Sequence, residues 1–100
     1  MDEQVVNNEA ESRYELRKGD DVAVADYVRR GNEIVFTHTF VPKHLEGRGV
    51  ASRIAKFALD DARKKGLQVE ARCPFIADYI RKNPAYQDLL VSEASTLPSR

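Results

Sequence analysis

The sequence predicts an α+β domain of sandwich type. Its sheet is mixed, an antiparallel meander plus one parallel crossover strand, and helices back it. Three observations carry that expectation. Segments of alternating polarity at 13–17, 22–29 and 33–41 are joined by short turns rich in Gly, Asp and Asn. A long amphipathic helical pattern begins directly after two closely spaced glycines, Gly47 and Gly49. A fourth strand-like run and a proline-initiated helical run come after it.

Taken in order, residues 1–10 are polar and read as a flexible arm. The first strand ends at Lys18-Gly19-Asp20-Asp21, a turn whose Gly and Asp suit positive φ. The second strand closes at Arg30-Gly31-Asn32. On the third, strict alternation puts Ile34, Phe36, His38 and Phe40 on one face and Val35, Thr37, Thr39 and Val41 on the other. Pro42 ends it. A helix from about residue 48 to 65 carries Val50, Ile54, Ala58 and Ala62 as an apolar stripe, with Ala51, Ala55 and Leu59 beside them. Gly66 suits its C-terminus. Residues 67–72 form the fourth strand, and the crossover through the helix makes it parallel to the third. Pro74 opens a second helix that stops before Asn83-Pro84. A short helical piece follows at 85–90, then a loose tail at 92–100. The domain proper is 11–91.

Composition bounds the function. One hundred residues make a single domain with a modest core. Lys plus Arg total 16, as do Asp plus Glu, so no overall field argues for nucleic acid or an anionic membrane. One cysteine means no internal disulfide and suits a reducing compartment. No apolar run approaches membrane-spanning length, and the acidic start has no signal-like region behind it. The expectation is a cytoplasmic protein with no membrane partner.

The glycine loop, Glu46-Gly47-Arg48-Gly49-Val50-Ala51-Ser52, stands between a strand and a helix. That order leaves the first helical N–H groups unpaired where the dipole favours negative charge, so a phosphate-bearing ligand is the natural occupant. Glycine lets such a ligand approach the backbone. The Gly-Lys-Ser/Thr of a Walker loop is missing, and Ser52 stands where a dinucleotide fingerprint has its third Gly or Ala.

Three side chains suit chemistry. Cys73 lies at the cap of the Pro74 helix, where the dipole favours the thiolate; the competing reading is a small buried hydrophobe. His38 lies among apolar strand residues and reads first as a core histidine; if its face lines a cleft, it suits proton transfer from an amine. Tyr79 lies on the inner stripe of the second helix, half core, and could protonate a leaving thiolate. Tyr86 reads as an anchor for the last turn against the sheet. The histidines and the cysteine lack metal-ligand spacing, so no metal is expected.

Four stretches in order resemble one family: Thr37-His38-Thr39-Phe40-Val41-Pro42, the glycine loop, Cys73-Pro74-Phe75-Ile76-Ala77-Asp78-Tyr79-Ile80, and Asn83-Pro84-Ala85-Tyr86. They are similar to the small, YjdJ-like branch of the GNAT superfamily of N-acetyltransferases, from about residue 14 to 90. Its pyrophosphate loop reads Gln/Arg-x-x-Gly-x-Gly/Ala; here Glu46 takes the first position. The resemblance implies a minimal GNAT fold and acetyl-CoA (coenzyme A) as cofactor. It implies backbone pairing of the pantetheine at Phe40 and Val41. The loop from Glu46 through Gly47, Arg48, Gly49, Val50 and Ala51 to Ser52 would hold the pyrophosphate, with Asn83 and Tyr86 completing the cofactor set. It also implies a splayed strand pair with His38 and Cys73 on its two walls and Tyr79 beside the leaving thiolate.

Two routes follow, direct attack by an amine or transfer through an acetylated Cys73. The acceptor is an amine on a small molecule or a protein. A CoA-binding module or partner subunit with little catalysis is the alternative. A third reading, polyanion binding through Arg29, Arg30, Lys64, Lys65, Arg81 and Lys82, conflicts with charge neutrality and with the scatter of those residues.

Overall fold

A computed structural model describes residues 4–90. Five strands, β1 (Val5–Asn8), β2 (Arg13–Lys18), β3 (Asp21–Arg30), β4 (Glu33–Phe40) and β5 (Gln68–Ala71), lie side by side in sequence order. The first three pairings are antiparallel and β4–β5 is parallel. Helix α1 (Val50–Lys64) makes the crossover and α2 (Pro74–Lys82) follows β5. Short 3-10 helices occupy Lys43–Leu45 and Pro84–Leu89. The meander and crossover match the expected architecture.

Both helices contribute to one core on one face of the sheet. Ile54, Ala55, Ala58, Leu59 and Ala62 of α1 and Ile76 and Ile80 of α2 pack with Tyr14, Leu16, Ala25, Tyr27, Ile34 and Phe36. The alanines bring α1 close to the strands, leaving room for Tyr14, Tyr27 and Phe36 to pack with ring centroids 5.3–6.3 Å apart. Two polar ties lock this layer. The Tyr14 hydroxyl donates to Asp61 Oδ2 at 2.7 Å, and the Tyr27 hydroxyl to Asn7 Oδ1 at 2.7 Å. At the end of α1, Leu67 N–H bonds Ala62 O and Gly66 N–H bonds Arg63 O, a paired C-cap that aims the chain into β5. The other face of the sheet carries no helix among the described residues.

Two expectations need correction, and a third is untested. Residues 5–8 are not part of an arm; they form β1, held by pairing to β2 and by the Asn7–Tyr27 bond. Residues 92–100 lie outside the described residues. The second correction matters most for the site. The β3–β4 register runs Tyr27 opposite Phe36 but Asp26 opposite His38, so Thr37 is an inserted residue, a β-bulge. Its hydroxyl donates to Asp26 O at 3.4 Å. The bulge reverses face parity beyond it. Thr39, opposite core residue Ala25, now shares the helix face with Ile34 and Phe36, while His38 and Phe40 turn to the helix-free face. His38 is accordingly exposed, not a core histidine.

Candidate functional site

The β4–β5 ladder ends at Phe36–Ala71. Arg72 N–H and Cys73 N–H then both donate to Phe36 O at 3.0 Å, and Pro74 turns the chain into α2. Residues 37–41 continue without a β5 partner. The two parallel strands therefore splay, and the edge of β4 facing the gap can receive another extended chain by backbone pairing.

At the far end of that edge, the glycine loop forms a cradle. Gly47 has φ +80° and Gly49 φ +70°, the left-handed region that glycine occupies without strain. Gly49 is the N-cap of α1, supplies no side-chain cap, and accepts the first helical bond from Arg53 N–H. The first turn contains no acidic residue. The N–H groups of Val50, Ala51 and Ser52 thus lack intrahelical partners and point along the dipole into the loop. A cavity of about 240 Å³ lies there, lined by Val41, Leu45, Glu46, Gly47, Gly49, Val50, Ala51 and Ser52. A Cβ built on either glycine meets no protein atom within 4 Å. The cradle is thus open to a ligand and suits a diphosphate.

Most of the expected loop residues come together here. Arg48 does not; it faces a neighbouring cavity of about 440 Å³ with Lys18, Asp21 and His44, where His44 Nδ1 sits 3.3 Å from Asp21 Oδ2. Phe40 follows the bulge, its backbone on the free edge and its ring 54% exposed on the helix-free face. Leu45 lines the cradle although nothing in its residue type marked it.

Cys73 is buried, and its Sγ lies 3.0 Å from Thr39 Oγ1. The structure thus brings Thr39, not His38, to the thiol, because the bulge exchanged them. A one-residue insertion at Thr37, at the head of the polar run Thr37-His38-Thr39, leaves no mark on an alternation pattern, so Thr39 could not be found that way. His38 instead faces Asp26 across the helix-free surface. Tyr79 is half-buried, its ring between Phe75 (6.4 Å) and Tyr86 (6.1 Å), and its hydroxyl makes no hydrogen bond among the described residues.

Asn83 and Tyr86 have structural partners. Asn83 Nδ2 donates to Tyr79 O at 2.7 Å, holding the end of α2. Tyr86 is buried, and its hydroxyl donates to Asp60 Oδ1 at 2.7 Å. The anchor is therefore α1 and not the sheet. Burial, then the bond to Asp60, pushes the Tyr86 phenol above its ordinary value. Burial works upward on the Asp60 carboxyl too, but hydrogen bonds from Tyr86 and Lys56 outweigh it and hold the group low. Among the described residues no group of His, Cys, Asp and Glu is arranged to hold a metal ion, and no helix is long and apolar enough to cross a membrane.

A splayed parallel strand pair running into a glycine-capped helix N-terminus defines a class: domains that grip an extended, diphosphate-bearing ligand by backbone groups. The model of the GCN5-related N-acetyl-transferase family matches residues 13–89, and the chain belongs to that family. Protein NATD1 of Mus musculus is 40% identical over 70 residues, 69% of this chain and 64% of the relative. Protein NATD1 of Danio rerio is 33% identical over 75 residues, 74% of this chain and 68% of the relative. The chain thus spans less than two-thirds of the length of the Mus musculus relative. An NMR structure of a GCN5-like protein from Staphylococcus aureus superposes with a TM-score of 0.71 at 26% identity, covering 91% of this chain and 90% of the other. Acetyl-CoA is the usual co-substrate of the family.

Proposed function

We propose that this chain is an acetyl-CoA-dependent N-acetyltransferase acting on an amine, carried by a small molecule or a protein. The observation that supports it best is the continuity of two features. The unpaired amides of Val50, Ala51 and Ser52 adjoin the free edge of β4, and the edge leads to the splay at Phe36. Phosphates fit the first, an extended pantetheine fits the second, and a thioester fits the end of the gap.

Bound acetyl-CoA would supply an activated acetyl group. Val50, Ala51 and Ser52 would hold the pyrophosphate, and Val41 and Phe40 would pair with the pantetheine through their backbone. His38 would accept the proton that the amine loses as it takes the acetyl group from sulfur. Tyr79, or water, would supply a proton to the leaving thiolate. Beginning from an ammonium, one proton is released overall.

Direct transfer is the route favoured by the Cys73 environment. A thiol nucleophile needs a base, and the neighbour of Cys73 is a hydroxyl. Its place at the mouth of the gap and at a helix N-terminus supports the covalent route as a second reading. Calorimetry with acetyl-CoA, followed by intact mass after incubation, separates them. Binding without a mass change, plus transfer to an added amine, is expected. An acetyl adduct lost in Cys73→Ala would establish the covalent route. Binding with no transfer to any amine would leave a CoA-binding module, and no binding would refute the proposal.

A further inference from the structure

The bulge at Thr37 sets a second group of residues around His38, on the face of the sheet that carries no helix. Asp26 lies directly opposite His38, and Val24 directly opposite Phe40, one pleat further along the same face. Directly opposed side chains stand about 5 Å apart at Cβ. The neighbouring rows are about 7 Å away along the strands. The result is a carboxylate and an imidazole side by side, next to a valine and a phenylalanine that is 54% exposed.

Other carboxylates on this face are occupied. Glu15 is buried beneath Arg13 and Arg17 and also accepts from Asn8. Glu33 pairs with Arg30, and Glu70 with Arg30 and Arg72. Asp26 forms no ion pair among the described residues. Arg13 stands opposite it on β2, but its Nε is 2.6 Å from Glu15 Oε2. Arg13 feels the Asp26 charge, but no cation lies within ion-pair distance of this half-buried carboxylate among the described residues, which leaves room for one from outside next to the proposed base.

We propose that Asp26, with Val24 and Phe40, forms the acceptor subsite, and that the acceptor is a primary alkylammonium group on an apolar stem of several carbons. The inference rests on the acetyltransfer reading above. The stem lies across Val24 and Phe40, and the ammonium lies between Asp26 and His38. Asp26 holds the charged form, solvent takes the proton that frees the nitrogen lone pair, and His38 takes the second proton as the nitrogen attacks through the gap. The acceptor thus enters from the helix-free face, while the phosphates lie at the helix N-terminus on the loop side. Amines that are uncharged at neutral pH lose the Asp26 contribution.

The test compares two acceptors, Nα-acetyl-lysine methylamide and an aniline that is uncharged at pH 7.5, in wild type, Asp26→Asn and Asp26→Glu. In Asp26→Asn the ratio of kcat/KM for the lysine probe over the aniline falls about tenfold, the size of one charge-assisted contact at a half-exposed site. The change lies mainly in KM for the lysine probe, and Asp26→Glu recovers part of it. The acetyl-CoA Kd is unaltered. An unchanged ratio in Asp26→Asn overturns the subsite while leaving acetyltransfer intact. If Asp26→Asn does not fold, wild type decides: butyltrimethylammonium should inhibit competitively against the lysine probe, and no inhibition overturns the subsite. Wild type that binds acetyl-CoA but acetylates neither amine defeats the acetyltransfer reading itself, and the subsite with it.

Discussion

Gly49→Ala probes the cradle, and Gly31→Ala supplies its control. Both glycines have positive φ, +70° and +60°, and a Cβ on either meets no atom within 4 Å. The structural cost is therefore torsional at both sites. An alanine in the left-handed region costs about 1–2 kcal/mol, partly offset by the reduced freedom of the unfolded chain. A net loss near 1 kcal/mol lowers Tm by about 4–8 °C in a domain of this size. Both variants should melt lower by similar amounts. They should differ in ligand binding. Gly49 lines the cradle and its geometry aims the first free amides of α1, whereas Gly31 lies in the β3–β4 turn. A methyl there, or a rotated loop, should weaken CoA by at least about tenfold, or about 1.4 kcal/mol. The assays are thermal melting and calorimetry with CoA. Equal melting losses with equal CoA affinity would refute the claim that this loop holds the phosphates.

Other perturbations follow from the same geometry. Glu46 lines the cradle and places a carboxylate where an anion would bind, so Glu46→Gln should tighten CoA several-fold in calorimetry at low salt, with less gain as salt rises. Tyr86→Phe removes the bond to Asp60 and should cost about 1 kcal/mol in urea unfolding without altering CoA affinity; a large affinity loss would return Tyr86 to the cofactor site. The carboxyls of Glu15 and Asp61 are held low by hydrogen bonds from Arg13 and Asn8, and from Tyr14 and Lys65, against the opposing effect of burial. Their stabilisation is full above the unfolded carboxyl range near about pH 4 and is lost as pH falls through the lower folded values. Urea midpoints should therefore drop steeply below about pH 4, and a flat profile there would contradict these ties.

Local signals made much of the fold legible. Short Gly/Asp turns dictate the meander, and the alanine-rich stripe and Gly66 bound α1. Pro74 starts α2 at the position where a missing N–H costs nothing. The glycine cradle was legible because loop, φ and helix start are contiguous in sequence. What stayed hidden depends on distant partners. β1 is four residues of modest strand character, ordered by pairing with β2 and by Tyr27, twenty positions away. Tyr86 reads as an anchor, but its partner, Asp60, is 26 positions away on a helix. The bulge adds one residue inside a strand whose two faces both look mixed. Strict alternation therefore put His38 with the core and Thr39 outside it, and the structure exchanges them.

The central claim is that acetyl-CoA lies along the free edge of β4 with its phosphates on the first turn of α1. Titration of ¹⁵N-labelled protein with acetyl-CoA tests it most directly. The largest backbone amide shifts should fall on residues 47–52 and 37–41, with those of α1's last turn and of β1 nearly still. Shifts gathered instead around Phe57 and Val5, which line a separate cavity of about 420 Å³, or no shifts at all, would contradict the account.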